Sequence, residues 1–223
     1  MDWFPLLNSL RIAAISTVIV FFLGIFSAYY LARLPRFIKG ILDVILTLSL
    51  VLPPTVVGYL LLRVISPKRP LGIFLNDFFG IRLTMTWCAS IIATAIVIFP
   101  LMYRTARGAF ESFDETLASA GKTLGKSNTY IFWRIRMPAC RQGILAGTVL
   151  AFARALGEYG ATSMLSGYPP GRTATISTTV YQLWRTNDEK GAMFWVLINL
   201  AISTVVLLTV NMLEARQKKA VKA

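Results

Sequence analysis

Four stretches of the chain run without a single charged residue: 12–32, 44–62, 83–103 and 191–213. A fifth, 142–168, is interrupted only by Arg154 and Glu158. An apolar run of roughly 18 residues or more is long enough, as a helix, to cross the hydrocarbon core of a bilayer. The pattern therefore predicts an all-α integral membrane fold with five transmembrane helices, at about 12–32, 44–62, 83–103, 142–165 and 191–213. Nearly everything between them is short connection. One transmembrane domain, 10–213, is expected, with an inner segment 104–141 and a short basic tail 214–223.

Composition agrees. The 223 residues are 56% hydrophobic and 15% charged, whereas soluble domains carry about 25% charge. The mean hydropathy is +0.63. The net charge of +13 would suggest a nucleic-acid partner in a soluble protein; here the placement of the charges matters more, and no nucleic-acid partner is expected. With five spans and the N-terminus outside, the inner segments hold Arg33, Arg36, Lys39, the basic residues of 104–141 and those of the tail, fourteen in all, against eight in the outer segments. The positive-inside rule then places the N-terminus out and the C-terminus in. Trp3, Trp87, Trp184 and Trp195 fall near the outer face in this arrangement, as an interfacial aromatic belt does. The first span reads as an uncleaved anchor, since Asp2 stands where a signal peptide carries basic residues.

Several chemistries are excluded. The chain has no histidine, so it lacks the commonest general base and metal ligand. Cys88 and Cys140 fall towards opposite faces, which makes neither a disulfide nor a zinc site. Gly121-Lys122-Thr123 resembles the end of a phosphate-binding loop, but the glycine required five positions earlier is Thr116. An enzyme acting on lipid would need a nucleophile with a base or paired carboxylates near one face, and no such group is visible. Neither a catalytic residue, nor a metal, nor a cofactor bound by this chain is expected.

The inner segment is longer than a reversal of direction requires. Ser112-x-x-Glu115 fits a capping box, predicting a helix from about 113 to 124 with Gly125 as its stop. A second amphipathic stretch follows from Asn128, and Pro138 precedes the next span. Ala118, Ser119, Ala120 and Gly121 would let another protein approach this helix closely; a plain solvated surface helix fits the same pattern.

Ser119-Ala120-Gly121, three residues, Gly125, nine residues, then Ile135-x-Met137-Pro138 resembles the cytoplasmic signature of ABC importer permeases, which reads E-A-A, three residues, G, nine residues, I-x-L-P. Ser119, Gly121 and Met137 depart from it. Leu52-Pro53-Pro54-Thr55-Val56-Val57-Gly58-Tyr59-Leu60 and the stretch from Gly147 through Arg154 and Glu158 to Ala161 are similar to the molybdate permease (ModB) family. The likeness covers essentially the whole chain. It implies a type I ABC importer permease fold in a bacterial or archaeal inner membrane. It also implies a homodimer, two ATP-binding subunits docking on a coupling helix that includes Ser119, Ala120, Gly121, Gly125, Ile135 and Pro138, and an external molybdate-binding protein. ATP and Mg would be used by the partner ATPase. Permeases for sulfate, thiosulfate or tungstate are alternatives, and an ATP-independent channel is a remoter one.

Two features lie within the expected spans. Pro53 and Pro54 each remove an N–H and clash with the preceding turn. Broken helices at mid-membrane often border transport pathways, which favours pathway lining over a purely structural kink. Arg154 and Glu158 share one helical face at i, i+4. They can neutralise each other and fix packing at a dimer interface, or Arg154 can meet a passing anion. A tight arginine site would hold the anion instead of passing it, which favours the structural role. Gly143-x-x-x-Gly147 permits close helix contact. The stretch 173–183 is too short and polar to span and suits a helix at the outer face.

Overall fold

A computed structural model describes residues 2–80 and 82–222, and helices account for nearly all of them. Eleven α-helices and one π-helical turn follow in order among those residues: α1 Phe4–Leu31, α2 Arg36–Val51, α3 Pro54–Ile65, α4 Pro70–Phe79, α5 Trp87–Glu111, α6 Glu115–Thr123, α7 Asn128–Ile131, the π turn Phe132–Arg136, α8 Met137–Leu156, α9 Gly160–Ser166, α10 Ile176–Arg185 and α11 Glu189–Lys222. By length and composition α1, α5 and the 189–209 part of α11 can each cross a bilayer. The consecutive pair α2 and α3 is apolar enough to do so together but is bent by 115°.

The packing is that of helices in lipid, where large apolar side chains gain nothing by turning inward and small residues let backbones approach. Along α1, Ser9, Ala13, Ser16, Thr17, Val20, Gly24 and Ala28 are buried, while Leu7, Val18, Phe22 and Leu23 are exposed. That inner face rests on α5, and α5 in turn on α8. Several hydroxyls and amides on these faces are satisfied across the interfaces, because lipid offers no partner, while the buried Thr17 and Thr94 hydroxyls make no hydrogen bond among the described residues. Ser16 Oγ donates to the Ile91 carbonyl at 3.2 Å and Ser49 Oγ to that of Ile96 at 3.0 Å. Asn8 Nδ2 donates to the Ala174 carbonyl at 2.9 Å. A second cluster, Val57, Ala89, Ala93, Val97, Ala161 and Leu165, joins α3, α5 and α9.

Three expectations are corrected. The run 44–62 is not one kinked helix: α2 begins earlier, at Arg36, and the chain turns sharply at Leu52 and Pro53, both in extended conformation. Two consecutive prolines deny this point its helical amides, so the helix restarts with Pro54 in its first turn. The run 142–165 is not one helix either. α8 starts at Met137, continuous with the π turn, and stops at Leu156; α9 begins at Gly160. Third, the outer connection expected between 63 and 82 contains α4, closed by Gly80 in the left-handed conformation. The basic stretch 214–222 is helical and continuous with α11; Ala223 lies outside the described residues. The helix expected around 173–183 is present as α10, with Thr175 and Thr178 forming a capping box.

The bundle has two distinct ends. Trp3 and Trp195 meet edge-on at 6.2 Å near one end. At the other, Tyr29 of α1 packs on Phe132 at 4.5 Å and Phe110 at 6.0 Å, bringing the segment 112–136 against the ends of α1 and α5.

Candidate functional site

The segment after α5 folds as a helical hairpin. Its first helix is capped by Asp114, not by Ser112. The Asp114 carboxylate accepts from the Thr116 amide at 2.9 Å and the Thr116 hydroxyl at 2.7 Å, and these donors hold it below the ordinary carboxylate range. Ser112 Oγ instead donates back to the Ala109 carbonyl of α5. Asp114 stands directly before the first helical residue, Glu115, and reaches its orphan amides, whereas Ser112 lies two residues earlier, at the end of α5. Gly125, with φ +71°, ends the helix: its N–H donates to the Lys122 carbonyl and that of Lys126 to Gly121, the left-handed stop that glycine favours.

Gly121 explains the spacing between the two halves of the hairpin. A Cβ there would lie 3.0 Å from Ile135 Cδ1 and 3.2 Å from Ile131 Cγ1. The bare backbone of α6 thus rests on the two isoleucines, and Ile135 of the sequence signature is the floor for Gly121. Ser119 and Ala120 face outward, beside the exposed Leu117 and Leu124. Arg136 grips Glu115 at the start of α6 with both carboxylate oxygens at 2.8 Å, its guanidinium 4.5 Å above the Phe113 ring. Pro138 has no N–H to give, and the turn just before it is π-helical, the Met137 N–H reaching the Phe132 carbonyl. An interrupted ladder before proline widens a turn in this way, and α7, the π turn and α8 follow without a non-helical residue between them. Lys122 and Thr123 of the decoy phosphate-loop motif belong to α6, and no strand precedes them among the described residues.

The second locus lies deeper. Where α8 ends, Arg154 Nη1 sits 2.9 Å from Glu158 Oε2; the glutamate side chain is 1% exposed and the arginine 37%. Glu158 Oε1 accepts the Ala161 N–H at 2.8 Å, so one carboxylate closes α8 and caps α9. Gly160 then packs on the restart of α3: a Cβ on Gly160 would be 2.9 Å from both Pro54 Cβ and the Thr55 nitrogen. Gly58 meets Ala161 and Met164 as closely. The two interrupted helices therefore break against each other. Pro53, Pro54 and Glu158 are gathered around this elbow, with Arg154 on its α8 side. The glycines 143 and 147 pack on α5, with a Cβ on Gly143 only 2.7 Å from Ala109 Cβ; packing within the chain accounts for them.

Beside the hairpin, α2 and α5 share a charge network that the span pattern hid. Arg107 on α5 pairs with Asp43 on α2, and with Glu111 at 2.8 Å. Lys39 reaches Glu111 at 3.1 Å, and the Tyr103 hydroxyl donates to Asp43 at 3.0 Å. Arg104 donates to Thr47 at 3.3 Å. Asp43 lies just before the charge-free run 44–62, and its only local sequence signal is its i, i+4 spacing from Lys39.

This architecture, a mostly helical bundle with broken inner helices and a hairpin held at one end, is the fold of importer permeases. Residues 20–219 match the family described as binding-protein-dependent transport system inner membrane component, and the chain belongs to that family: it is a multi-pass inner-membrane transport component. Within the family it is similar to the molybdenum transport system permease protein ModB of Escherichia coli (strain K12), 40% identical over 208 residues, 93% of this chain and 91% of that protein. It is 35% identical to a putative molybdenum transport system permease of Bacillus subtilis (strain 168), over 91% of this chain and 89% of the relative. A probable sulfate transport system permease of Zygnema circumcarinatum is 31% identical, over 92% and 71%. Two solved structures share the fold: a bacterial ABC transporter that imports alginate (TM-score 0.74, 18% identity, 96% of this chain and 78% of that one) and the MetNI methionine ABC transporter in an inward-facing form (TM-score 0.71, 12% identity, 95% and 94%).

Proposed function

We propose that this chain is the permease subunit of an ATP-driven importer of molybdate, working as a homodimer with two ATP-binding subunits and an external molybdate-binding protein. The observation that carries the substrate is the 40% identity to a molybdenum permease over 93% of the chain; the sulfate relative, at 31%, gives the alternative weaker support. The five spans are α1, α2 with α3, α5, α8 with α9, and α11, with the N-terminus outside and the hairpin inside. ATP and Mg act in the partner subunit, which docks on the outward face of α6 around Ser119, Ala120, Leu117 and Leu124.

The geometry supports a route for the coupling. A push on α6 passes through Gly121 to Ile131 and Ile135, and through Glu115 to Arg136. From the π turn it enters α8, which carries Arg154 in its last turn and leads to the Glu158 cap of α9. There α9 bears on Pro54 at the elbow, beside the path the anion takes between the two copies. Glu158 already neutralises Arg154, so the elbow offers the dianion donors without a deep electrostatic trap. Helix starts such as that of α3 favour anionic groups. High affinity is left to the binding protein.

The test uses the complex of this chain, its ATPase and the binding protein in liposomes. Molybdate should stimulate ATP hydrolysis well above sulfate. Equal or greater stimulation by sulfate would assign the chain to the sulfate branch, and failure of any ATPase to bind would remove the importer reading.

A further inference from the structure

At the hairpin end, a cavity of about 490 Å³ opens between the last turn of α1, the start of α2, the end of α5 and the hairpin. Its wall carries four cations, Arg33, Lys39, Lys122 and Arg136, and two carboxylates, Glu111 and Glu115. The carboxylates are spent. Lys39 pairs with Glu111 at 3.1 Å, and Glu111 is shared further with Arg107. Arg136 takes both oxygens of Glu115. Among the described residues Arg33 has only the Tyr29 hydroxyl as a hydrogen-bond partner, its guanidinium 4.0 Å above that ring. Lys122 forms no ion pair among the described residues. Two cations in excess therefore face one concave space, with the Asn128 amide on its wall as a neutral donor.

We propose that this cavity binds a tetrahedral oxyanion of the phosphate class through Arg33 and Lys122. The stacking of Arg33 on Tyr29 leaves guanidinium donors for a planar two-pronged grip on such an anion, and lysine adds a mobile point charge. The volume falls in the range of sites for small organic molecules, so a phosphate carrying a further polar group fits as well as a free ion. Two sources supply this chemistry: the headgroup of an anionic phospholipid, since basic pockets between membrane helices on the cytoplasmic side take such headgroups, and a free oxyanion in the aqueous phase. Either one ties Arg33, at the α1–α2 turn, to Lys122 on α6, across the gap that the hairpin would have to open or close in order to move against the bundle. The site needs only the cavity and its charges and does not depend on which anion is transported.

Direct binding tests it, on the full complex with its ATPase and without binding protein. In one arm, the complex is reconstituted in phosphatidylcholine discs doped with phosphatidylglycerol, and the phosphatidylglycerol retained per chain is counted by native mass spectrometry. In the other, the complex in pure phosphatidylcholine is dialysed against radiolabelled phosphate or molybdate. Arg33→Gln and Lys122→Gln should each weaken binding about fivefold, and together roughly twenty-fivefold, the loss expected for removing a cation near an anionic headgroup. Raised salt should weaken the wild type likewise. Arg172→Gln, a cation of the loop before α10, should leave binding unchanged, and the charge-preserving Arg33→Lys with Lys122→Arg should restore most of it if the neutral variants assemble poorly. Retention of lipid alone names the headgroup as the ligand; binding in the dialysis arm alone names a soluble oxyanion. No binding in either arm, or an equal loss with Arg172→Gln, overturns the site. Because no transport is read, a complex that fails to import molybdate but binds here separates this proposal from the transport reading.

Discussion

The hairpin end and the elbow solve the same problem, holding helices together, with opposite chemistries. At the hairpin end the contacts are charged and aromatic: Lys39, Asp43, Arg107 and Glu111 between α2 and α5, Arg136 on Glu115, and the Tyr29, Phe110 and Phe132 rings. At the elbow they are small and mostly neutral: Gly160 on Pro54, Gly58 on Ala161, and a Ser90–Ser166 hydroxyl pair at 2.6 Å. The single exception, Arg154 with Glu158, is a closed local pair. The reason is solvent. At a water boundary an ion pair can break and reform at small cost, since water replaces either partner. In the apolar interior no replacement exists, so stability there comes from close approach and from hydrogen bonds that stay made. The hairpin is thereby suited to shifting, and the elbow to transmitting a shift as a unit.

Substitutions can break this contrast. The largest effect is expected for Glu158→Ala, which leaves Arg154 without its partner and α9 without its cap; thermal unfolding of the purified protein should show a loss of about 3 kcal/mol, with Glu158→Gln losing less because the amide oxygen still accepts from Ala161. Next comes Gly160→Val, which drives a side chain into Pro54 and Thr55 and should cost about 2 kcal/mol by the same measurement. At the hairpin, Gly121→Leu should leave unfolding nearly unchanged but reduce molybdate-stimulated ATP hydrolysis by about tenfold, by lifting α6 off Ile131 and Ile135; Gly121→Ala should be mild, because the nearest atom is the free end of Ile135. The smallest effect is expected for Asp43→Asn, about 1 kcal/mol, since both side chains of its pair with Arg107 are about a quarter exposed and water compensates part of the loss. If Asp43→Asn unfolds the protein while Glu158→Ala is silent, the assignment of roles to the two ends is reversed.

Much of this was readable from residues alone where the signal is local. The end of α6 at Gly125, the restart at Asn128 and the i, i+4 closure of Arg154 on Glu158 all follow from near neighbours and came out as expected. The cap is Asp114 and not Ser112 because two candidates two residues apart compete and only the backbone path chooses between them. The break after Leu156 was missed because part of its cause is distant. Gly157, at the C-cap of α8, and the Glu158 carboxylate turned onto Ala161 are local parts of the stop, but the α3 backbone packed against Gly160 is more than a hundred residues away in sequence.

Charge-free runs, proline pairs and the spacing of Gly121, Gly125 and Ile135 determined on their own that this is a helical membrane protein with a hairpin on one side, since each depends on hydration or on backbone geometry within a few residues. Only the tertiary structure decided that the prolines of α3 meet the break between α8 and α9, that Asp43 belongs to Arg107, and that Arg33 and Lys122 are left over around one cavity. Those are contacts between residues about 60 to 110 positions apart, and they are settled by which small faces can approach and which charges lack water, neither of which a stretch of sequence carries by itself.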